Sequence, residues 1–194
     1  MPLFQPAAPE TVTPEASGFA DVAAGAYYYE AVQWAVKTGI TAGTSTGWFS
    51  PEAPCTRAQL VSFLWRAAGS PLVEGEARFS DVAPHAYYYN AVLWAASQGI
   101  AAGTGEGRFR PDETVTRGQT AAMLHRAAGS PAAGGSNPFG DVAPGAYYAG
   151  AVRWAVETGV TAGTSAGAFS PEAPCTRAQI VTFLYRDRVR ETNE

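Results

Sequence analysis

Lysine is almost missing from this chain of 194 residues: Lys37 is the only one, and the other twelve cations are arginine. Arginine offers a planar fork suited to carboxylates and phosphates, where lysine offers a mobile point charge. Cysteine is nearly as scarce. Cys55 and Cys175 cannot by themselves build a disulfide framework or a zinc site. The two histidines, His85 and His125, have no metal-ligating spacing, so no metal is expected. Charged residues make up 15% of the chain, against roughly 25% in ordinary soluble domains. The net charge of -4 excludes a nucleic-acid-binding stripe. No apolar run approaches the roughly 18 residues of a membrane span, so no membrane insertion is expected. The amino terminus carries no basic region followed by an apolar stretch, so no leader is expected in this chain, which would be compatible with a segment of a longer secreted protein. Gly-x-Ser-x-Gly, His-Glu-x-x-His and phosphate-loop motifs are absent, and neither a catalytic centre nor a cofactor is expected.

What the chain has is repetition. Phe19-Ala20-Asp21-Val22 returns as Phe79-Ser80-Asp81-Val82 and as Phe139-Gly140-Asp141-Val142, 60 residues apart each time. Ala31-Val32-x-Trp34-Ala35 returns at Ala91 and Ala151, and Thr56-Arg57-x-Gln59 at Thr116 and Thr176. The predicted organisation is a Pro-rich segment over 1–17, repeats over 18–70, 78–130 and 138–194, and linkers over 71–77 and 131–137. The last repeat is expected to carry a terminal cap, because Arg190 to Glu194 depart from the Ala-Ala-Gly-Ser-Pro ending of the others.

Each repeat reads as helix, loop, helix, which makes the fold class mainly α. The first helix is predicted from Ala26 to Thr38, with Tyr28, Ala31, Val32, Ala35 and Val36 as its apolar stripe. Gly39 takes the left-handed terminating position and Ile40 the hydrophobic contact after it. Phe49, Phe109 and Phe169 are expected to plug the loop into the core. The second helix begins at Thr56 with a Thr-x-x-Gln capping box and runs to Gly69-Ser70-Pro71. A unit of this size buries too little surface to stand alone. Three units should bury their stripes against one another, either closed around a pseudo-threefold axis or as an open solenoid.

The ordered run Phe-x-Asp-Val, aromatic-x-x-x-Ala-Val, Gly-Ile/Val-x-x-Gly with a Phe-x-Pro, then Thr-Arg-x-Gln resembles the S-layer homology domain, in three copies that cover nearly all of the chain after Gly18. The resemblance implies a three-pronged spindle with a central helix bundle. It also implies a non-catalytic module that holds an extracellular surface protein to the bacterial cell wall. The implied partner is a secondary cell-wall polysaccharide carrying a pyruvate ketal, bound in the clefts between repeats, or modified peptidoglycan in some relatives. The family's Thr-Arg-Ala-Glu maps onto Thr56-Arg57-Ala58-Gln59, Thr116-Arg117-Gly118-Gln119 and Thr176-Arg177-Ala178-Gln179. Gln59, Gln119 and Gln179 thus replace a glutamate, which keeps the cap and removes a carboxylate. Tyr27, Tyr87 and Tyr147 stand where the family has tryptophan, and can still stack on a sugar face.

Two readings of the arginines stay open. Arg57, Arg117 and Arg177 sit in a first helical turn, where a cation opposes the macrodipole at about 0.3–1 kcal/mol. Free N–H groups at that helix end attract anions, so arginine and helix end together could receive a carboxylate, bidentately. Alternatively each arginine pairs internally with Asp21, Asp81 or Asp141. In the binding reading, Arg→Ala is expected to leave the melting temperature nearly unchanged. The three aspartates read either as turn or cap carboxylates or as groups orienting the arginine or a sugar hydroxyl. Among Tyr27-Tyr28-Tyr29 and its copies, at least one ring per repeat should be exposed, since a helix has one core face. Trp34, Trp94 and Trp154 read as core, and Arg66, Arg126 and Arg186 as structural. Cys55 and Cys175 align with Val115, which marks a small buried apolar site rather than a disulfide. Gly118 and the segment Gly105-Glu106-Gly107-Arg108 set the second repeat apart as a distinct or lost site. Rival functions are a structural or assembly module of a larger surface protein and, more remotely, a wall hydrolase using paired carboxylates.

Overall fold

In the computed structural model, which describes residues 18–191, six helices account for the regular structure of those residues: α1 (Tyr29–Lys37), α2 (Arg57–Ala67), α3 (Tyr89–Ser97), α4 (Arg117–Ala127), α5 (Ala149–Glu157) and α6 (Arg177–Glu191). The Pro-rich segment at 1–17 and the cap residues beyond 191 lie outside the described residues.

The capping boxes form as the sequence dictates. Thr56 Oγ1 accepts from Gln59 N at 3.2 Å, while Gln59 Oε1 accepts from Thr56 N at 3.1 Å. The same reciprocal pair closes the starts of α4 and α6. The first helices begin later than predicted, at Tyr29 rather than Ala26. Two successive turns, Ala26 N to Ala23 O and Tyr29 N to Ala26 O, occupy that stretch, and Tyr28 caps α1 with no side-chain hydrogen bond. At the other end, Gly39 has a φ of 73° and Ile40 N donates to Ala35 O at 2.8 Å, the hydrogen bond of a left-handed cap. α6 outruns α2 and α4 because Val189 replaces the terminating Gly69 and Gly129, whose φ values are 83° and 86°.

The pairing of the helices positions the site. α3 packs on α2, α5 on α4 and α1 on α6, so each first helix lies against the second helix of another repeat. The backbone follows the same order. Val115 N donates to Cys55 O, Cys175 N to Val115 O and Cys55 N to Cys175 O, each at 2.9 Å. The repeats thus touch first to second, second to third and third to first. Both cysteines are free and fully buried in that ring of hydrogen bonds. Burial pushes their thiols up, to about 12 for Cys55 and about 11 for Cys175.

Phe49, Phe109 and Phe169 are completely buried, each packed against the phenylalanine that opens its repeat, at centroid distances of 5.5–5.8 Å. Trp94 and Trp154 are core. Trp34 is only half-buried, lying 5.7 Å from the Tyr185 ring of α6.

Candidate functional site

Arg57, Arg117 and Arg177 are 3–4% exposed, and no aspartate among the described residues pairs with them. Each reaches into a neighbouring repeat. Arg57 Nε donates to Phe109 O at 2.9 Å, Arg117 Nε to Phe169 O at 2.8 Å and Arg177 Nε to Phe49 O at 2.9 Å. The guanidinium carbon then stands 4.8–4.9 Å from the ring of that same phenylalanine, in a cation–π contact. The aspartates hold the other side of the same peptide. Asp21 accepts from Phe49 N and Ser50 N, Asp81 from Phe109 N and Arg110 N, and Asp141 from Phe169 N and Ser170 N, all at 2.7–2.9 Å. Each buried phenylalanine is therefore gripped by its own repeat's carboxylate at N–H and by another repeat's arginine at C=O.

This geometry corrects three expectations. The internal Arg–Asp ion pair is not formed: each arginine directs its Nε to a backbone carbonyl, and each aspartate takes two backbone N–H groups. The helix starts are not open to an anion: Arg57 N donates to Glu113 O and Ala58 N to Pro111 O, each at 2.9 Å. Corresponding carbonyls, Ala173 and Pro171 at α4, Ala53 and Pro51 at α6, close the other two. Arg→Ala can no longer be thermally neutral, since it would leave a buried carbonyl without its donor. Burial holds all three guanidinium pKa values below the ordinary one. For Asp81, burial pushes upward but the two N–H donors outweigh it; for Asp141 the donors dominate. Both carboxyls titrate lower than usual.

The tyrosines divide along the lead-in turn. Tyr27, Tyr87 and Tyr147 are 62–64% exposed, whereas Tyr29 and Tyr148 are buried. Partial burial raises the phenol pKa of the three exposed rings. For Tyr27 and Tyr147 the next contribution is a carboxylate, Glu52 or Glu172; for Tyr87 it is Cys55, with Asp112 a smaller one. They remain neutral hydroxyls at physiological pH, each with an apolar ring face and a polar tip.

These groups meet in a groove that draws on all three repeats. It encloses about 360 Å³ and is lined by Thr41, Thr44, Gln59 and Arg66 of the first repeat, Tyr87 of the second and Arg177 of the third. The corresponding pairs elsewhere, Arg57 with Tyr147 and Arg117 with Tyr27, are likewise within electrostatic reach of one another. Gln59 spends its Oε1 on the cap, which leaves its Nε2 donors; a glutamate there would have none. Arg66, read from the sequence as structural, does hold Ile40 O at 2.9 Å and also lines the groove. Sequence reasoning missed Thr41, although its return as Thr161 was visible; its hydroxyl accepts from Gly43 N at 3.2 Å. Trp48, 52% exposed, has Arg108 and Ala168 as its counterparts and so falls outside the repeated pattern.

Three tandem units, each a helix pair clasped through an Asp–Phe–Arg lock, define a repeat module of one family. The S-layer homology domain matches residues 18–61, 78–121 and 138–181, and the chain belongs to that family. It is 25% identical over 174 residues to an S-layer protein of Bacillus thuringiensis subsp. finitimus, which covers 86% of this chain and 21% of that protein. It is 31% identical over 116 residues to a cell surface protein of Thermoanaerobacter kivui, 57% of this chain and 15% of the relative. An endoglucanase of Bacillus sp. (strain KSM-635) is 32% identical over 108 residues, 56% of this chain but 11% of the enzyme. The chain thus spans only about a tenth to a fifth of these relatives.

Proposed function

We propose that this chain is a non-catalytic anchoring module of the bacterial cell surface, and that its inter-repeat grooves bind an anionic cell-wall polysaccharide. The observation that carries the reading is the groove itself: an exposed tyrosine ring, a glutamine amide with spare donors and two arginines converge in one cleft. Such a cleft suits a sugar ring bearing a carboxylate, and a pyruvate ketal is the acidic group we assign. In this reading Tyr27, Tyr87 and Tyr147 stack on sugar faces, and Gln59, Gln119 and Gln179 donate to ring oxygens. Arg57, Arg117 and Arg177 supply positive potential from behind the wall, while Asp21, Asp81 and Asp141 shape the loop that forms it. Several weak sites on one rigid chain give avidity for a polymer. The relatives are named as surface proteins, which supports a place in a larger surface protein. The endoglucanase overlap is too short to carry its activity over.

A second reading, a spacer or assembly element that binds no glycan, is favoured by the burial of the three arginines. Co-sedimentation with purified cell walls separates the two. Retention on intact walls, lost after the polysaccharide is extracted, is expected; equal retention on extracted walls, or none on either, would sink the glycan assignment.

A further inference from the structure

Position 149 breaks the repeat where a tyrosine is due. Its counterparts are Tyr29 and Tyr89, and the third repeat has Ala149. Where the tyrosine is present, its hydroxyl is held at the far end of the ring. Tyr89 Oη accepts from Ala77 N at 3.1 Å, and Tyr29 Oη accepts from Gln33 Nε2 at 3.1 Å. In the third repeat the counterparts of Ala77 and Gln33 are Asn137 and Arg153. Tyr148 does not fill the vacated seat: its ring lies beside Gly118 of the second repeat and its hydroxyl donates to Glu172 at 3.2 Å.

The seat is a pocket of about 460 Å³, lined by Asn137, Phe139, Val142, Pro144, Ala149 and Arg153. All six belong to the third repeat or the segment that enters it, so the pocket is separate from the inter-repeat groove. Phe139, Val142 and Ala149 give it buried apolar walls. A seat left by one ring and still walled in this way suits another ring; apolar cavities of only about 150 Å³ take benzene.

The polar groups gather where the hydroxyl ends in the sister repeats. Asn137 spends its side chain on Phe139 N, Phe139 O and Val142 O, each at 3.1 Å. Its own N–H, the counterpart of the Ala77 donor, has no acceptor among the described residues. Arg153 is exposed and makes no ion pair or hydrogen bond among the described residues. The same position is Gln33 in the first repeat and Leu93 in the second, so the cation occurs only in the repeat that lacks the ring. A guanidinium beside a backbone N–H favours a carboxylate over a neutral hydroxyl.

We infer that this pocket is a binding site for a small aromatic carboxylate, whose ring takes the place of the missing tyrosine and whose carboxylate is received by Arg153 and Asn137 N. The charge at Arg153 selects the acid, and the apolar wall selects the ring.

The test titrates the full chain with benzoate, and with benzyl alcohol as the uncharged control. Benzoate should bind at one site per chain with a Kd of about 0.1–1 mM. Ala149→Tyr should abolish that binding and raise the melting temperature by about 2–6 °C, because the new ring fills the seat. Ala149→Leu is a second block that needs no hydroxyl partner. Arg153→Ala should weaken benzoate about tenfold and leave benzyl alcohol within about twofold. Retention of Ala149→Tyr on purified cell walls should match that of the unaltered chain, since the pocket lies outside the inter-repeat groove. No benzoate binding, binding that survives both blocks, or equal affinity for benzyl alcohol would overturn the inference and leave the proposed function standing. Loss of wall retention in Ala149→Tyr would make the pocket part of the glycan site and overturn it as a separate one.

Discussion

The contact of α3 on α2 and that of α1 on α6 join equivalent surfaces in different ways. The first pair is connected by the linker that follows Gly69, and that linker packs: Trp65 Nε1 donates to Pro71 O at 2.9 Å and Ala77 N to Tyr89 Oη at 3.1 Å. The second pair joins the first and last repeats with no short connection between them. Its lock, Arg177 on Phe49, spans 128 positions of sequence, against 52 for Arg57 on Phe109. The same lock therefore closes with or without a tether. The interface geometry is written in side chains and backbone carbonyls, and the linker adds only effective concentration. Coverage differs too. The linker-side Trp154 packs against His125, 5.3 Å away, and is buried, while Trp34, on the untethered junction, stays half-exposed.

The largest effect expected from breaking this comparison is at the untethered lock. Arg177→Ala should cost about 2–4 kcal/mol, because it removes a charged hydrogen bond and a cation–π interaction together. Arg57→Ala should cost less, because the linker keeps its partner near. Denaturant unfolding of both variants reads the difference, and hydrogen exchange should show α1 and α6 loosening first in the Arg177 variant. Equal losses would mean that the tether contributes nothing.

Acid should act next, on the locks of Asp81 and Asp141. Asp81 and Asp141 have folded-state pKa values below the unfolded carboxyl value of about 3.9. Their stabilisation is complete above that value and is lost as pH falls through the lowered folded-state pKa. Thermal melts from pH 7 downwards should hold their midpoint to about pH 4 and drop below it. Asp81→Asn and Asp141→Asn together should lower the midpoint at pH 7 and flatten that drop.

The smallest effect is expected from cutting the tether itself. Glu74, Gly75 and Glu76 are exposed, and a protease site inserted at Gly75 should be cleaved in the folded protein. The two fragments should stay associated on gel filtration. Their separation would show that the linker, rather than the locks, holds the first repeat to the second.

Local features were legible in the sequence because they repeat within a few residues: the caps at Thr56 and Gly39, the stripe of α1 and the burial of Phe49. The late start of α1 was not, because the tyrosines that look like its first turn belong to two preceding turns. Nor was the destination of the arginines. A periodicity of 60 reveals what recurs in each repeat but is blind to which repeat a side chain enters, and Arg57 crosses 52 positions to reach Phe109 O. The filled helix starts were hidden for the same reason: their acceptors, Glu113 and Pro111 at α2, lie on another repeat. At the grooves, the tyrosine that faces solvent could be expected as a class, and only coordinates distinguish Tyr27 from Tyr28 and Tyr29.

Because the cleft at Arg177 borrows a wall from each of the three units, a chain emerging in order of synthesis does not own it until α6 settles on α1. Under the proposed role, completion of folding and competence to attach through that cleft become a single event, and a protein lacking its last unit would lose it although two of the three repeats that wall it remain.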